Sequence, residues 1–254
     1  MELKITDLDF SYDQQLVLDN VGLVVKKGEI LSIIGPNGSG KSTLLKCINR
    51  ILKPQNGKLI LYEREIKNYS PQELACHLGY VPQQENRKFP ATVFDVILLG
   101  RKPYINWKPV DNDLKIVSNI IKRLDLEQFA MRDVNKLSGG QLQKVIIGRA
   151  LAQKPEILLL DEPTSSLDLK HQLEVLNLIK SETENDISSV LAIHDLSLAA
   201  RYSDKFVMLK EGTVYATGSD EILTSENIEE VYGVKVNIMK YNNQTIVIPK
   251  SPSA

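Results

Sequence analysis

Nine residues constrain this chain more than any others: Gly35, Pro36, Asn37, Gly38, Ser39, Gly40, Lys41, Ser42 and Thr43. They fit the pattern G-x-x-x-x-G-K-[ST]. The segment before them, "EILSIIG", is almost continuously apolar, as in a strand buried on both faces. The segment after them, "KSTLLKCINRIL", is apolar at helical period. Strand, glycine loop and helix in that order form the context a phosphate-binding loop requires. Glycines let backbone N–H groups close on a phosphate without Cβ clashes. Lys41 has the reach for the β- and γ-phosphates, Ser42 offers a hydroxyl to Mg²⁺, and Thr43 can bond the α-phosphate. The expectation is an α/β fold with this loop at the C-terminal edge of an open sheet, where such sheets hold ligands.

Other segments point to the same edge. In "EILLLDEP", from residue 156, a buried strand presents Asp161 and Glu162 at its end. Beside a phosphate loop, Asp161 suits Mg²⁺ held through water. Glu162 suits a general base that orients and polarises an attacking water. Taken alone, the pair reads equally as an acidic strand end before a proline turn. "SVLAIHD", from 189, is a third buried strand, ending in His194. A lone histidine there is structural as readily as catalytic. Gln83 follows a short apolar run in "GYVPQ", where its amide can bond both Mg²⁺ and water or simply face solvent. Tyr12 lies just after the first strand and either stacks on adenine or joins the core. "LSGGQ", Leu137 to Gln141, precedes the apolar-periodic "LQKVIIGRALA" and so resembles a second anion-binding helix start.

Residues 2–10 and 21–27 alternate apolar and polar, as antiparallel strands with one wet face do. "NGKLILY", residues 56–62, belongs with them. From about 85 the texture turns helical, with segments Val93–Leu99 and Leu114–Leu126 around the Pro- and Trp-containing "RKPYINWKPVD". This region, about 85–150, reads as an inserted helical subdomain. "KFVMLKEGTVYATG" forms a hairpin turned at Glu211-Gly212. Residues 236–254 form a short extension, a hairpin around Asn242-Asn243 and a tail.

Charge excludes little but leans one way. There are 31 basic and 32 acidic residues, a net charge of −1, without the cationic stripe of a nucleic-acid binder. No apolar run is long enough for a bilayer span. The N-terminus lacks a signal-peptide core. Cys47 and Cys76 have neither disulfide-framework nor metal spacing, which fits a reducing, cytoplasmic compartment.

The set "GPNGSGKST", "VPQ", "LSGGQ", "LLLDEPTSSLD" and "AIHD", in this order and spacing, resembles the nucleotide-binding subunit of ATP-binding cassette (ABC) transporters over residues 2–235. The resemblance implies a P-loop NTPase cassette: a RecA-like core, an antiparallel β subdomain and the helical insertion. It implies ATP and Mg²⁺ as cofactors. Tyr12 becomes the adenine-stacking aromatic, Ser39 to Thr43 the phosphate and Mg²⁺ holders, and Gln83 a sensor of Mg²⁺ and of partner movement. Asp161 supports Mg²⁺, Glu162 is the catalytic carboxylate, and His194 contacts the γ-phosphate. Cassettes of this family pair head to tail. Ser138, Gly139, Gly140 and Gln141 then close over the γ-phosphate bound by the other chain, and Asp168 lies in the loop that crosses to it. One cassette without a spanning segment implies a separate transmembrane permease, served indirectly by an extracytoplasmic substrate-binding protein, with the cassette at the cytoplasmic face of the membrane. "LLGRKPYINW", "HDLSLAARYSDKFVMLKEG" and "EVYGVKV…IVIP" resemble importers of iron siderophores, haem and cobalamin. Leu142 departs from the polar or basic residue many relatives carry there.

The rival within the family is a zinc or manganese importer, or an efflux system. Cassettes of DNA repair carry long coiled coils, and no sustained heptads occur here. Translation-factor relatives carry two cassettes. A module that binds without cleaving would have lost Glu162 or His194.

Overall fold

The computed structural model describes residues 3–83, 90–242 and 244–250. Residue 2, the expected beginning of the helical insertion at 85, the turn residue Asn243 and the tail 251–254 lie outside the described residues. The chain opens with an antiparallel hairpin of β1 (Leu3–Tyr12) and β2 (Gln15–Val25). These strands extend well into the 11–20 stretch that alternation left unassigned. Asp7 and Asn20 adopt left-handed backbone, φ 51° and 49°, at points where the β1–β2 register shifts. Each bulge breaks the period of two on which the sequence pattern depends.

β3 (Ile30–Ile34) and α1 (Lys41–Ile48) flank the glycine loop. β4 (Asn56–Leu61) and β5 (Arg64–Glu65) complete a sheet in the order β2-β1-β4-β5. α2 (Pro71–His77) starts in a capping box between Ser70 and Glu73 and leads into β6 (Leu78–Val81). Three helices follow: α3 (Val93–Leu99), α4 (Asp111–Arg123) and α5 (Gly139–Ala152). The rest of the chain runs β7 (Ile157–Asp161), α6 (Leu169–Glu184), β8 (Ser188–Ala192), α7 (Leu196–Tyr202), β9 (Lys205–Lys210), β10 (Thr213–Gly218) and α8 (Ser225–Tyr232). A last antiparallel pair, β11 (Val236–Tyr241) and β12 (Gln244–Pro249), rests against α7, where the Val247 N–H donates to Ser197 Oγ at 3.0 Å.

The central sheet has the order β10-β9-β3-β8-β7-β6. Its pairs are parallel except β9–β10. That last pair turns at Glu211 and Gly212, φ 47° and 83°, the primed turn a two-residue hairpin prefers. Every residue of β3, β7 and β8 is buried, which explains their mostly apolar sequence; the polar exceptions, Ser32, Asp161, Ser188 and Ser189, are buried as well. Alternate residues serve different cores. Leu158 and Leu160 join α3 to α8 on one face, while Ile157 and Leu159 join α1 and the antiparallel sheet on the other. Each such leucine contributes about 2 kcal/mol of burial.

α4 begins three residues before the apolar pattern suggests. The Asp113 carboxylate accepts the Val110 N–H at 3.1 Å and so fixes a first turn of polar residues. The same buried carboxylate accepts Arg101 Nε at 3.0 Å, and Arg101 Nη1 donates to the Ala152 carbonyl at 2.6 Å. Arg101 thereby ties α3, α4 and α5 together.

Candidate functional site

Strand register decides which residues meet. Val81 of β6 lies opposite Leu160 of β7, and Asp161 of β7 lies opposite Ala192 of β8. Gln83, Glu162 and His194 therefore leave one sheet edge side by side, although 79 and 32 residues separate the bonded pairs. Gln83 Nε2 donates to Glu162 Oε2 at 2.5 Å, and His194 Nε2 lies 2.5 Å from Glu162 Oε1. The Glu162 side chain is 12% exposed. Its backbone is left-handed, φ 49°, and its N–H donates to the Ala192 carbonyl at 3.1 Å. A non-glycine residue in that conformation carries strain of the kind found at functional sites. β8 ends at Ala192, so His194 stands two residues beyond its strand rather than at the end of it.

The glycine loop closes beside this carboxylate. Gly40, at the cap before α1, has φ 101°; a Cβ there would lie 2.6 Å from Leu18 Cδ2. Lys41 is buried, and its ammonium donates to the Gly35 and Pro36 carbonyls at 2.8 Å each. Burial lowers the Lys41 pKa, opposed by the charges of Glu162 and Asp161. Ser42 Oγ donates to Asp161 Oδ1 at 2.7 Å. Burial raises the Asp161 pKa, the Ser42 hydrogen bond lowers it, and the neighbouring Glu162 charge raises it. The Ser39 hydroxyl is buried and, among the described residues, has no hydrogen-bond partner. Tyr12, the last residue of β1, is half exposed and meets Phe10 edge-on at 4.8 Å. Tyr12, Asn37, Gly38, Gly40 to Thr43 and Glu162 line one open groove of about 320 Å³. An unpartnered hydroxyl, a buried cation and a helix N-terminus are features that suit a phosphate chain. The Ser42 hydroxyl and Asp161 carboxylate are hard oxygen donors of the kind Mg²⁺ takes alongside phosphate oxygens. The residues therefore fit both groups.

The second glycine segment stands apart from that groove. Ser138 caps α5 in a reciprocal box: its Oγ accepts the Gln141 N–H at 3.3 Å, and Gln141 Oε1 accepts the Ser138 N–H at 3.0 Å. Ser138 and Gly139 are exposed and Gly140 is buried. None of the residues 138–141 lines the phosphate groove. Asp168 caps α6, accepting the His171 N–H at 2.9 Å and facing His171 Nδ1 at 2.7 Å.

Sequence patterns passed over Tyr80. Its hydroxyl reaches Asp161 Oδ2 at 3.4 Å, and burial, then the Asp161 charge, raises its pKa. A tyrosine in a short apolar strand carries no signal of its own; only the parallel register with β7 reveals it.

Comparison with known proteins identifies the family. The profile of the ABC transporter family matches residues 18–165. An uncharacterized ABC transporter ATP-binding protein of Methanocaldococcus jannaschii is 51% identical, covering 98% of each chain. The "probable iron chelatin transport ATP-binding protein" of Helicobacter pylori is 38% identical over 97% of this chain and 99% of its own. A solved structure described as a metal-chelate type ABC transporter, inward-facing, superposes with a TM-score of 0.86 at 31% identity, covering 98% and 97% of the two chains. The chain belongs to the ABC transporter family and carries its nucleotide-binding cassette.

Proposed function

We propose that this chain is the ATP-hydrolysing subunit of an importer that moves a metal chelate, of iron-siderophore, haem or cobalamin type, through a separate membrane permease. One observation carries the enzymatic part: a buried-edge carboxylate, Glu162, held between Gln83 and His194 beside the phosphate loop. The metal-chelate part is supported by the names of the iron chelatin relative and the metal-chelate type structure. Among the described residues no helix is long and apolar enough to cross a membrane, consistent with a permease on another chain. The cassette would occupy residues 2–235, with its helical part from about 85 to 150, and sit at the cytoplasmic face of the membrane.

Each residue then has a task. Tyr12 stacks on adenine. Gly35 to Thr43 wrap the phosphates, with Lys41 exchanging its carbonyl partners for phosphate oxygens. Ser42, Asp161 and Gln83 would hold Mg²⁺, which would supply charge neutralisation on the phosphates. Glu162 accepts a proton from water as the water oxygen bonds to the γ-phosphorus and ADP departs. Gln83 orients that water, and His194 holds the γ-phosphate. Ser138, Gly139, Gly140, Gln141 and Asp168 act on the nucleotide of a second copy, which makes ATP part of the dimer contact. Loss of phosphate opens the dimer and moves the permease.

The test is to express tagged Glu162→Gln chain in its native cell, extract membranes gently and identify what co-purifies. A many-span permease of the metal-chelate type is expected. Recovery with DNA or ribosomes and no membrane protein would sink the transport reading and leave the ATPase intact.

A further inference from the structure

The first turns of α5 and α6 are fastened to each other at successive levels. Each glycine of the "LSGGQ" segment has, as its nearest side-chain neighbour, a residue of the segment 167–171. A Cβ on Gly139 would lie 3.7 Å from Leu167 Cδ2. A Cβ on Gly140 would lie 2.1 Å from His171 Cδ2 and 2.4 Å from its Cγ, so the imidazole occupies the space that any other residue would fill. One turn further along each helix, Lys144 Nζ pairs with Glu174 Oε2 at 2.9 Å. His171 also faces the other way: its Nδ1 lies 2.7 Å from Asp168 Oδ1, and its backbone N–H donates to the same oxygen at 2.9 Å. One ring therefore packs on the signature glycine and bonds the cap of the crossing loop.

We infer that His171 is a positioning residue that latches the "LSGGQ" turn to the Asp168 loop, so that both are presented to a partner cassette as one rigid piece. The inference rests on the head-to-tail pairing proposed above. His171 does not line the groove formed by Lys41 and Glu162. Without the ring, Asp168 keeps only its backbone cap, and the two segments meet the partner's nucleotide independently. Ordering them at the moment of pairing then costs conformational entropy that the latch has already removed. The effect falls on pairing and on turnover that needs pairing, and not on nucleotide binding by the single chain.

The experiment uses the full chain. In the Glu162→Gln background, ATP-driven dimerisation is followed by sedimentation, with and without His171→Ala, and binding of a fluorescent ATP analogue is measured at concentrations where the chain is monomeric. His171→Ala is expected to weaken dimerisation by roughly tenfold or more, leave monomer affinity within about twofold, and lower kcat with little change in KM in the otherwise wild-type chain. His171→Phe, which keeps a ring on Gly140 and loses the bond to Asp168, is expected to fall between. A coupling measurement checks the contact itself: Gly140→Ala lowers thermal stability when His171 is present and does so far less beside His171→Ala. Unchanged dimerisation in His171→Ala, or monomer affinity falling by the same factor, overturns the latch. A Glu162→Gln chain that stays monomeric in ATP refutes the pairing and the latch with it, and the coupling result then stands as packing alone.

Discussion

Three substitutions at Glu162 separate its chemistry from its geometry. The carboxylate makes two contacts of 2.5 Å, from Gln83 Nε2 and with His194 Nε2. An amide of the same shape keeps both, because its oxygen can still accept from Gln83 while its NH2 donates to a ring-nitrogen lone pair of His194. Glu162→Gln should therefore change stability by no more than about 1 kcal/mol, roughly 2–4 °C in melting temperature. It removes the proposed proton acceptor, so kcat should fall by ~10²–10⁴, about 2.7–5.4 kcal/mol in the barrier. Glu162→Ala and Glu162→Gly both lose the carboxylate and differ in the backbone. The φ of 49° costs a residue with a Cβ ~1–2 kcal/mol. Glycine escapes that and gives back ~0.4–1 kcal/mol through its freer unfolded chain. The glycine variant should thus be the more stable of the two by about 0–1.6 kcal/mol, or up to ~6 °C. Calorimetry without nucleotide and phosphate release with ATP read the two effects. Turnover in Glu162→Gln within tenfold of wild type would remove Glu162 as the base. A glycine variant less stable than the alanine one would refute the strain.

Further outcomes follow from single features. Lys41→Ala should abolish detectable Mg-ATP binding by titration calorimetry, since the buried ammonium of the groove is lost. Asp161 has a folded pKa raised chiefly by burial, so its protonated form favours the fold below the unfolded value of about 3.9 and that benefit disappears as pH rises through the folded pKa. Asp161→Asn should accordingly melt higher than wild type at pH 8 without nucleotide, with the gap narrowing toward pH ~4, while losing ATPase activity. Arg101→Leu leaves Asp113 buried without its guanidinium and should destabilise by ~3–5 kcal/mol, read by urea denaturation. The Cys47 thiol, pushed up to about 12 by burial, should resist alkylation at pH 8 until the protein is unfolded.

The α/β class was legible because the loop Gly35–Thr43 and the strands at 30, 157 and 188 carry clear patterns: buried on both faces, the strands are mostly apolar, with only Ser32, Asp161, Ser188 and Ser189 departing from it. The hairpin at the N-terminus was half legible, since bulges at Asp7 and Asn20 reset the alternation and no turn glycine marks Asp13. α4 was displaced by three residues because a polar first turn, fixed by Asp113, carries no apolar period. At the site, the loop and the acids could be found by pattern. That Gln83 and His194 hold the two oxygens of one carboxylate could not, because it depends on the order β8-β7-β6 and its register, which spacing along the chain does not encode. His171 was invisible for the same reason: its partner Gly140 is brought to it by helix packing.

The partition of the core by the central sheet has a genetic consequence. Leu159 and Leu160 are neighbours in β7, yet they belong to different sides. A cavity opened at Leu159 loosens the side that carries α1 and the phosphate loop, and should show itself as weakened nucleotide binding. A cavity opened at Leu160 loosens the side that carries α3 to α6, and should leave nucleotide binding intact while weakening work with the permease proposed for the chain. Alternate positions along one short strand would thus sort into two complementation classes, one corrected by excess ATP and the other by compensating changes in a different polypeptide.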